Sequence, residues 1–418
     1  KVNPIALNYQ FTLHSVVPAP HTIIDNIQKL EPGHTITVHK SGRIDRTRYF
    51  NIDEIQLSKY NTQEIYENIS SLLTAAIEKR ISVADVPVGV LLSGGLDSSL
   101  ITAISKEYKN NLNTYSIGFE TINSEEGNEF HYSDMVANDL KTLHEKYSVT
   151  SFDLLNSLDD VIMSMSEPMF SQDSSAFYLL AKNVSKSAKV VLSGQGADEV
   201  FGGYFWYEKI MNETNLNSID TLSKYYFDRS YENFKTIVHS DFVHENYASN
   251  DIGSRLKQMD PSLSILDKIF RLELAMFIID DPVKRVDNMT MSHSLEARVP
   301  FLDIDLISFM LSVKSEMKIE NGEKCLLKEV SKKYLNNKII NREKFYFPVP
   351  PLKIIKDKFF DYCRKTLLSE SALERNLYNT SYINKILEKP NEHFTNLNGN
   401  ELWHFTLLER WLQLNIDQ

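Results

Sequence analysis

The fold is decided by residues 86–99, which read VPVGVLLSGGLDSS. The first part, 86–92, is short, apolar and rich in β-branched residues, which is typical of a strand buried on both faces of a parallel sheet. Residues 93–95, Ser-Gly-Gly, favour a tight turn that exposes backbone N–H groups. Asp97 and the two serines after it suit the first turn of a helix. The stretch therefore predicts a central strand, a glycine turn and a helix N-terminus.

A glycine turn at a helix N-terminus is suited to bind an anion. Its N–H groups and the helix dipole favour a phosphate, and the hydroxyls of Ser93, Ser98 and Ser99 are further donors. Asp97 would repel a polyphosphate unless a divalent cation lay between them, so it predicts Mg²⁺. The turn lacks the Gly-Lys-Ser/Thr ending of a P-loop, which disfavours that NTPase class. A bare Gly-Gly turn is equally well explained as a plain connection, but Ser-Gly-Gly-x-Asp-Ser after a strand is far more specific.

A second glycine loop carries another acidic residue. Residues 192–204 read LSGQGADEVFGGY, in which a strand again runs into glycines and then an acid, Asp198. Because strand ends meet at one edge of a parallel sheet, we expect Asp97 and Asp198 to share a metal ion. The alternative is a simple turn at Gly-Gly-Tyr, with Asp198 and Glu199 opening a helix.

Strands and helices alternate around these two loops, which is typical of a doubly wound, mainly parallel α/β sheet. Apolar spacing predicts helices at 61–81, 98–108, 131–143, 154–165 and 178–187, and strands at 113–119, 145–149 and 189–192. Beyond Tyr204 the pattern is polar and helical, so we expect a mostly helical C-terminal part. Residues 1–53 are punctuated by prolines and predict strands at 10–14, 16–20, 27–30 and 34–38.

Composition excludes several classes of protein. The chain has 418 residues, which predicts one large domain with a helical extension or two domains. A net charge of −11 disfavours a nucleic-acid partner. Apolar runs are too short to cross a membrane, and residues 1–10 show no signal peptide. Cys325 and Cys363 lack C-x-x-C spacing, so we expect neither disulfides nor zinc but a cytoplasmic protein in a reducing compartment.

A third charged region lies in residues 280–303. Arg298 and Asp303 flank an apolar Val-Pro-Phe-Leu stretch that we expect to be buried, and buried charges need partners. Either Arg285 or Arg298 holds a substrate carboxylate in a bidentate fork, or these charges pair internally with Glu296 or Asp303. A solvated helix face is the usual meaning of such a run, and the sequence leaves these alternatives open.

From about Gln10 to its end, the chain resembles the synthetase domain of the glutamine-dependent asparagine synthetase family. In that family the Ser-Gly-Gly-x-Asp-Ser loop binds pyrophosphate, and ATP is split into AMP and pyrophosphate. The resemblance implies an adenine-nucleotide alpha hydrolase-like (PP-loop ATP pyrophosphatase) fold, with ATP and Mg²⁺ as cofactors. It implies Asp97 and Asp198 as metal ligands, and an ATP site formed by Leu92, Ser93, Gly94, Gly95, Asp97, Ser98, Ile117, Ser193 and Gly194.

The resemblance also implies catalytic and substrate residues. Residues 341–350, NREKFYFPVP, match the family's Arg-x-Lys-x-x-Phe motif, whose lysine, Lys344 here, contacts the phosphates. An isolated lysine is otherwise nearly always a solvated surface residue. Residues 295–303, LEARVPFLD, line the family's cleft and make Glu296 and Arg298 substrate candidates. Residues 322–328, GEKCLLK, are similar to a Lys-x-x-Leu-Arg helix, for which we assign no role.

The beginning of the chain resembles the end of the family's glutaminase domain, at residues 17–23 and 30–34. We therefore expect residues 1–55 to be a remnant of that domain and residues 56–418 to be the synthetase domain, with a helical extension from about 205. The glutaminase nucleophile is a cysteine at the first residue, where this sequence has Lys1. We therefore expect either that the chain is a fragment of a longer protein or that it takes ammonia from elsewhere, such as a separate or truncated glutaminase domain.

Gln195 departs from the family, since asparagine synthetases usually carry glutamate there. A neutral amide hydrogen-bonds an adenylate or an amine but does not act as a base near neutral pH. Segments 166–169, 176–180 and 193–207 are most similar to a subgroup that amidates N-acetylglutaminylglutamine, an osmolyte dipeptide. Strict asparagine synthesis is therefore in doubt, although Gln195 remains a catalytic candidate.

The leading hypothesis is an ATP-dependent ligase for amino-acid biosynthesis that adenylates a carboxylate, which ammonia then attacks. The carboxylate is aspartate or a glutamine-containing dipeptide, and the alternative is amidation of N-acetylglutaminylglutamine for osmoprotection. A non-catalytic nucleotide-binding subunit is an alternative of another class, whereas a tRNA-modifying pyrophosphatase is disfavoured by the acidic charge. We expect a small-molecule carboxylate and ammonia as partners, without nucleic acid or membrane. The sequence leaves open whether the chain forms a homodimer.

Overall fold

The computed structural model describes residues 1–122, 126–212, 218–343 and 349–417, which form two sheets surrounded by helices. The strands are β1 (His34–Val38), β2 (Ile44–Arg48), β3 (Val88–Leu91), β4 (Asn113–Phe119), β5 (Leu143–Val149), β6 (Val190–Leu192) and β7 (Glu296–Arg298). β1 and β2 form an antiparallel hairpin. The other strands form a parallel sheet in the order β5-β4-β3-β6-β7.

Helices precede, separate and follow these strands. Those up to the second glycine loop are α1 (Pro4–Thr12), α2 (Thr62–Ser82), α3 (Leu96–Tyr108), α4 (Phe130–Leu140), α5 (Ser151–Met163), α6 (Asp173–Val184) and α7 (Ala197–Phe201). The next are α8 (Trp206–Met211), α9 (Ser218–Tyr226), α10 (Tyr231–Ile237), α11 (Tyr247–Gln258), α12 (Ile265–Leu272), α13 (Lys284–Met291), α14 (Ile304–Ser312) and α15 (Glu316–Ile319). The last are α16 (Cys325–Ser331), α17 (Asn337–Ile340), α18 (Pro350–Lys353), α19 (Asp357–Leu367), α20 (Glu370–Arg375), α21 (Thr380–Glu388) and α22 (Glu401–Asn415). The predicted α/β fold with a helical C-terminal part is thus confirmed, and within the described ranges no helix is long and apolar enough to cross a membrane.

The order of the parallel sheet reverses between β3 and β6. From β3 the chain moves outward to β4 and β5, and it then returns to the other side of β3 to form β6 and β7. Because such crossovers are right-handed, α3 and α4 cover one face of the sheet, and α5 and α6 cover the other. Ligands bind such sheets outside the carboxyl ends of the strands at the reversal. Both predicted glycine loops follow the two strands that meet there.

Local sequence explains the central elements. β3 is buried over its whole length, as its apolar run predicts. Gly89 lies within it, and an added Cβ there would lie 2.5 Å from the ring of Tyr115 on β4. Asn61 and Glu64 form a capping box that starts α2, where the sequence predicts a helix.

The first residues of the chain differ from the prediction. Of the strands predicted there, the structure contains 34–38 as β1 but not those at 10–14, 16–20 and 27–30. Residues 10–12 instead end α1, because Asn3 caps this helix with its side chain and Pro4 occupies its first turn. A buried apolar run that follows these helix-start signals forms a helix, although its length also suits a strand.

The helix α1 belongs to the core of the molecule. Phe11 is fully buried, and its ring centroid lies 5.6 Å from that of Phe170 and 5.5 Å from that of Phe405 on α22. The hairpin of β1 and β2, in contrast, is almost entirely exposed. The N-terminal residues therefore contribute to the same core as the C-terminal helix, and the domain boundary near residue 55 stays a prediction.

Candidate active site

The first glycine loop connects β3 to α3 and is held by its own serines. The Gly95 N–H donates to the Ser93 hydroxyl (3.3 Å), which lies 3.1 Å from the Ser98 hydroxyl. Gly94 has a φ of +81°, and a Cβ there would lie 2.5 Å from the Ser133 backbone nitrogen on α4. This position requires glycine, because it combines a positive φ with close contact to a neighbouring helix.

The second glycine loop connects β6 to α7 and lies against the first. A Cβ on Gly194 would lie 3.2 Å from the Cβ of Asp97 and 3.2 Å from the backbone nitrogen of Ser98. A side chain there would therefore push the two loops apart. Because the loops touch at this glycine, Asp97 of the first loop and Asp198 of the second reach the same space.

Asp97 and Asp198 converge on the ammonium group of Lys324. Its Nζ lies 2.8 Å from Oδ1 and 2.7 Å from Oδ2 of Asp97, and 2.7 Å from Oδ1 of Asp198. Burial lowers the pKa of Lys324, but the two carboxylates outweigh burial and raise it above its ordinary value. The two acids thus share one cation in the structure. Two carboxylates around one positive centre are also the donor set that suits Mg²⁺.

Sequence reasoning missed the role of Lys324. The residue precedes α16 with a left-handed φ of 53°, and its N–H donates to the Gly202 carbonyl (3.1 Å). A Cβ on Gly203 would lie 1.9 Å from Oδ1 of Asp198 and 2.2 Å from Cε of Lys324, so only glycine leaves room for this ion pair. The Lys-x-x-Leu segment is a sequence signal for the lysine, but nothing local indicates that it reaches the two aspartates.

A cavity of about 900 Å³ opens around the two loops. Most of the predicted nucleotide residues line it: Leu92, Ser93, Gly95, Asp97, Ser98, Ile117, Ser193 and Gly194. The catalytic candidate Gln195 and the predicted metal ligand Asp198 line it too. Gly94 does not line the cavity, but its carbonyl accepts a hydrogen bond from Arg342, which does (3.0 Å). The fold therefore brings residues from β3, β4, β6 and their loops to one opening.

The predicted catalytic Lys344 lies outside the described residues. Arg342, which starts the same motif, forms an ion pair with Glu129 and stacks on Tyr132, with its guanidinium carbon 4.1 Å from the ring centroid. Burial raises the pKa of Glu129, against the effect of the arginine. The motif thus begins in contact with the first glycine loop.

The structure does not bring the substrate candidates Glu296 and Arg298 to the cavity. They lie on β7, where the Arg298 Nε donates to Glu296 (2.8 Å) and its Nη1 donates to the Arg80 carbonyl (2.5 Å). Their charges are therefore satisfied within the chain, as the internal-pair alternative expects. Arg285 does line the cavity, where it pairs with Asp281 at 2.8 Å.

Two buried glutamates also line the cavity, and sequence reasoning assigned them no role. Glu199 accepts a hydrogen bond from Tyr204 (2.6 Å), and Glu273 accepts one from Tyr207 (3.1 Å). Burial and the neighbouring acids raise the pKa of Glu199, and they raise that of Glu273 to about 8. Glu273 starts one of two π-helical turns, Glu273–Phe277 and Ile279–Val283, that join α12 to α13. Only Glu199 had a sequence signal, its position next to Asp198.

A second polar cluster lies at the wall formed by α1 and α22. His14 Nδ1 is 2.7 Å from Oδ2 of the fully buried Asp228, and His404 Nδ1 is 3.8 Å from the same oxygen. Three such ligands suit a metal ion, but Arg229 lies 3.8 Å from Asp228 and 3.3 Å from Nδ1 of His404. The guanidinium donates to that nitrogen and supplies a positive charge, so the cluster does not fit a metal.

The family model and the similar curated proteins agree on one family. A family model described as asparagine synthase matches residues 68–413. Asparagine synthetase (glutamine-hydrolyzing) 1 of Bacillus subtilis (strain 168) is 26% identical over 451 residues, which cover 98% of this chain and 68% of that protein. Asparagine synthetase (glutamine-hydrolyzing) 3 of the same organism is 29% identical over 353 residues, which cover 78% and 55%. The chain thus spans between about half and two thirds of these relatives.

A solved structure is also matched, with little similarity. It is an NH₃-dependent NAD synthetase from Campylobacter jejuni, with a TM-score of 0.24 and 16% identity, covering 50% of this chain and 92% of that chain. The fold is defined by the strand order and the glycine loops of this chain itself.

Proposed function

The chain belongs to the asparagine synthase family, and on this basis we propose that it is a ligase that forms an amide through an acyl-adenylate. The relatives are named glutamine-hydrolyzing asparagine synthetases. In the proposed reaction a carboxylate oxygen attacks the α-phosphate of ATP and pyrophosphate leaves. Ammonia then attacks the acyl carbon, the bond to the AMP oxygen breaks, and AMP leaves.

The observation that carries this proposal is the convergence of Asp97 and Asp198 on one cation between two glycine loops. Lys324 holds both carboxylates at 2.7 Å in the structure. An acidic pair of this kind repels a polyphosphate unless positive charge lies between them. The same loops offer N–H groups and the N-terminus of α3, which attract phosphate. The site therefore suits a nucleotide triphosphate with a divalent cation better than a free anion.

Asp97 and Asp198 are the residues that would hold Mg²⁺, since oxygen donors are the ligands that this ion prefers. When bound, the ion would neutralise charge on the phosphates as pyrophosphate departs. Lys324, already between the two acids, would provide a second positive charge for the same phosphates.

The other predicted residues take roles around this centre. Leu92, Ile117, Ser193 and Gly194 would contact the adenine and ribose, because they line the cavity beside the phosphate loop. Lys344 would contact the phosphates, as the family resemblance implies. Gln195 would orient the adenylate or the amine through its amide, which has both donors and an acceptor.

We propose ammonia as the nitrogen donor of this chain, supplied by a glutaminase domain or as free ammonium. The carboxylate substrate is proposed to be aspartate, as the names of the relatives indicate, or the terminal carboxylate of a glutamine-containing dipeptide, because Gln195 replaces the usual glutamate. We propose that the chain makes such amides in the cytoplasm, without a membrane partner.

The test is AMP release with ATP, Mg²⁺ and ammonium against a panel of carboxylic acids. The panel includes aspartate, glutamate and N-acetylglutaminylglutamine, and each acid is run without ammonium as a control. We expect AMP release that depends on one acid, with equal amounts of AMP and amide. Asp198→Asn serves as the matched inactive protein. The non-catalytic alternative is supported if the wild-type chain binds ATP but no acid gives AMP release.

A further inference from the structure

The pair of His14 and Asp228 has the geometry of an oriented base, and the roles assigned above do not use it. Asp228 accepts a hydrogen bond from Nδ1 of His14 at 2.7 Å, and its side chain is fully buried. This contact fixes the tautomer in which Nε2 of a neutral imidazole carries the free lone pair. Among the described residues, none lies within hydrogen-bond distance of that Nε2. His14 lines the same cavity as Gln195 and Asp198.

Backbone and side-chain contacts hold this pair in place. His14 and Ser15 follow α1 with left-handed φ values of 51° and 75°, which residues other than glycine rarely adopt. The Ser15 hydroxyl accepts a hydrogen bond from the Phe170 N–H (2.6 Å), and the Asp228 N–H donates to the Thr12 carbonyl (2.8 Å). Two consecutive strained residues are kept only where surrounding contacts compensate, and they are frequent at functional positions.

We infer that His14 is the proton acceptor for the amine that attacks the adenylate, with Asp228 as its positioning residue. The inference rests on the proposed function and adds to it a base that Gln195 does not supply. Nε2 of His14 takes one proton from the ammonium ion, and the freed nitrogen lone pair forms the C–N bond as the bond from the acyl carbon to AMP breaks. The attacking nitrogen then gives a second proton to the departing AMP phosphate, which leaves the neutral amide. The imidazolium then returns its proton to solvent.

The charges around His14 set the pH range of this step. Burial lowers the pKa of His14, but the Asp228 carboxylate outweighs it and raises that pKa above its ordinary value. The step needs neutral His14, so the rate should rise with pH through this raised pKa. The other titratable or charged groups that face the pair are His404, Arg229, Asp281, Arg285 and Asp173.

The test separates the two halves of the reaction in His14→Asn. Asparagine tolerates the left-handed backbone and can still donate to Asp228, but it has no basic nitrogen. Exchange of labelled pyrophosphate into ATP reports adenylate formation, and amide release reports the attack. We expect exchange within about twofold of the wild-type rate and amide formation at least about 100-fold slower, the usual contribution of a general base. The matched control is His21→Asn, since His21 lies outside the cavity lining and should change neither rate.

Two further measurements distinguish a base from a structural residue. With hydroxylamine, an amine that is largely neutral near pH 7, His14→Asn should lose less activity than with ammonium. Asp228→Asn should shift the rising limb of the wild-type pH profile to lower pH, because it removes the charge that raises the pKa of His14. Thermal melts of each variant check that the fold is intact.

Amide formation within twofold of wild type in His14→Asn overturns the inference. Equal losses of exchange and of amide formation also overturn it, because they indicate a structural role. If the wild-type chain shows no carboxylate-dependent exchange with any acid, the proposed function fails first, and the inference fails with it.

Discussion

Replacing Lys324 with methionine is expected to destabilise the fold by about 3 kcal/mol, because two carboxylates would lose the cation they share. The Lys324 side chain is 8% exposed, and its Nζ lies 2.7 Å from both Asp97 and Asp198. Removing one partner of a buried ion pair costs roughly 3–5 kcal/mol. The lower end of this range of cost applies, because the side chains of the two aspartates remain 23% and 22% exposed and water partly solvates their carboxylates. Methionine keeps the aliphatic stem, so the packing of the side chain changes little.

Urea unfolding measures this loss from the midpoint and the slope. Lys328→Met is the matched control, because Lys328 lies on α16 and lines the same cavity but forms no ion pair with a described residue. We expect it to lose less than about 1 kcal/mol. Mg²⁺ should recover part of the stability of Lys324→Met and change the wild-type protein less, since a divalent cation can take the place of the ammonium.

Two results would refute this reasoning. The first is a loss below about 1 kcal/mol in Lys324→Met, which would mean that the two carboxylates do not depend on a shared cation. The second is an equal response of variant and wild type to Mg²⁺, which would mean that the site between the carboxylates does not bind the ion.

The remaining predictions concern the acids and the amide of the site. Asp97→Asn and Asp198→Asn should each lower AMP formation at least about 100-fold, because each removes a ligand of the shared metal ion. Thermal melts should change little, because each variant leaves Lys324 with one carboxylate. Near-normal turnover of either variant in Mg²⁺ contradicts the shared metal. Wild-type activity at fixed total ammonium should rise between about pH 6.5 and pH 9, because neither Gln195 nor a protonated His14 takes a proton from ammonium at the lower end of this range. Gln195→Glu should flatten this rise by adding a second base, since a carboxylate ordinarily has a lower pKa than an imidazole; a flat wild-type profile contradicts both the assignment of Gln195 and the role of His14. For Glu273, the folded state keeps a proton between the unfolded pKa of about 4.3 and its raised pKa of about 8, so the free energy of unfolding should fall as pH rises through this range. Glu273→Gln should make urea midpoints less dependent on pH there, and an unchanged dependence contradicts the raised pKa.

The two glycine loops could be predicted because their signals are local. Each combines a buried strand, glycines and an acid within about a dozen residues, and the fold joins them at the sheet reversal. The segment at 10–14 was predicted wrongly, because a short buried apolar run suits a strand or a helix and the decision lies in the cap at Asn3 and Pro4. The three-residue strand β7 was missed, because its pairing with β6 supplies what its own sequence does not.

The sequence by itself determined the α/β fold class, the family resemblance and the candidate nucleotide residues, because strand runs and glycine turns act over short stretches of chain. Only the tertiary structure decided which charges meet. Lys324 lies 227 positions from the Asp97 that it contacts, and His14 lies 214 positions from Asp228. It also showed that Arg298 pairs with Glu296 outside the cavity, whereas Arg285 lines it. A charged side chain finds its partner through the packing of distant elements, and the energy of that contact depends on burial, which no local pattern in the sequence specifies.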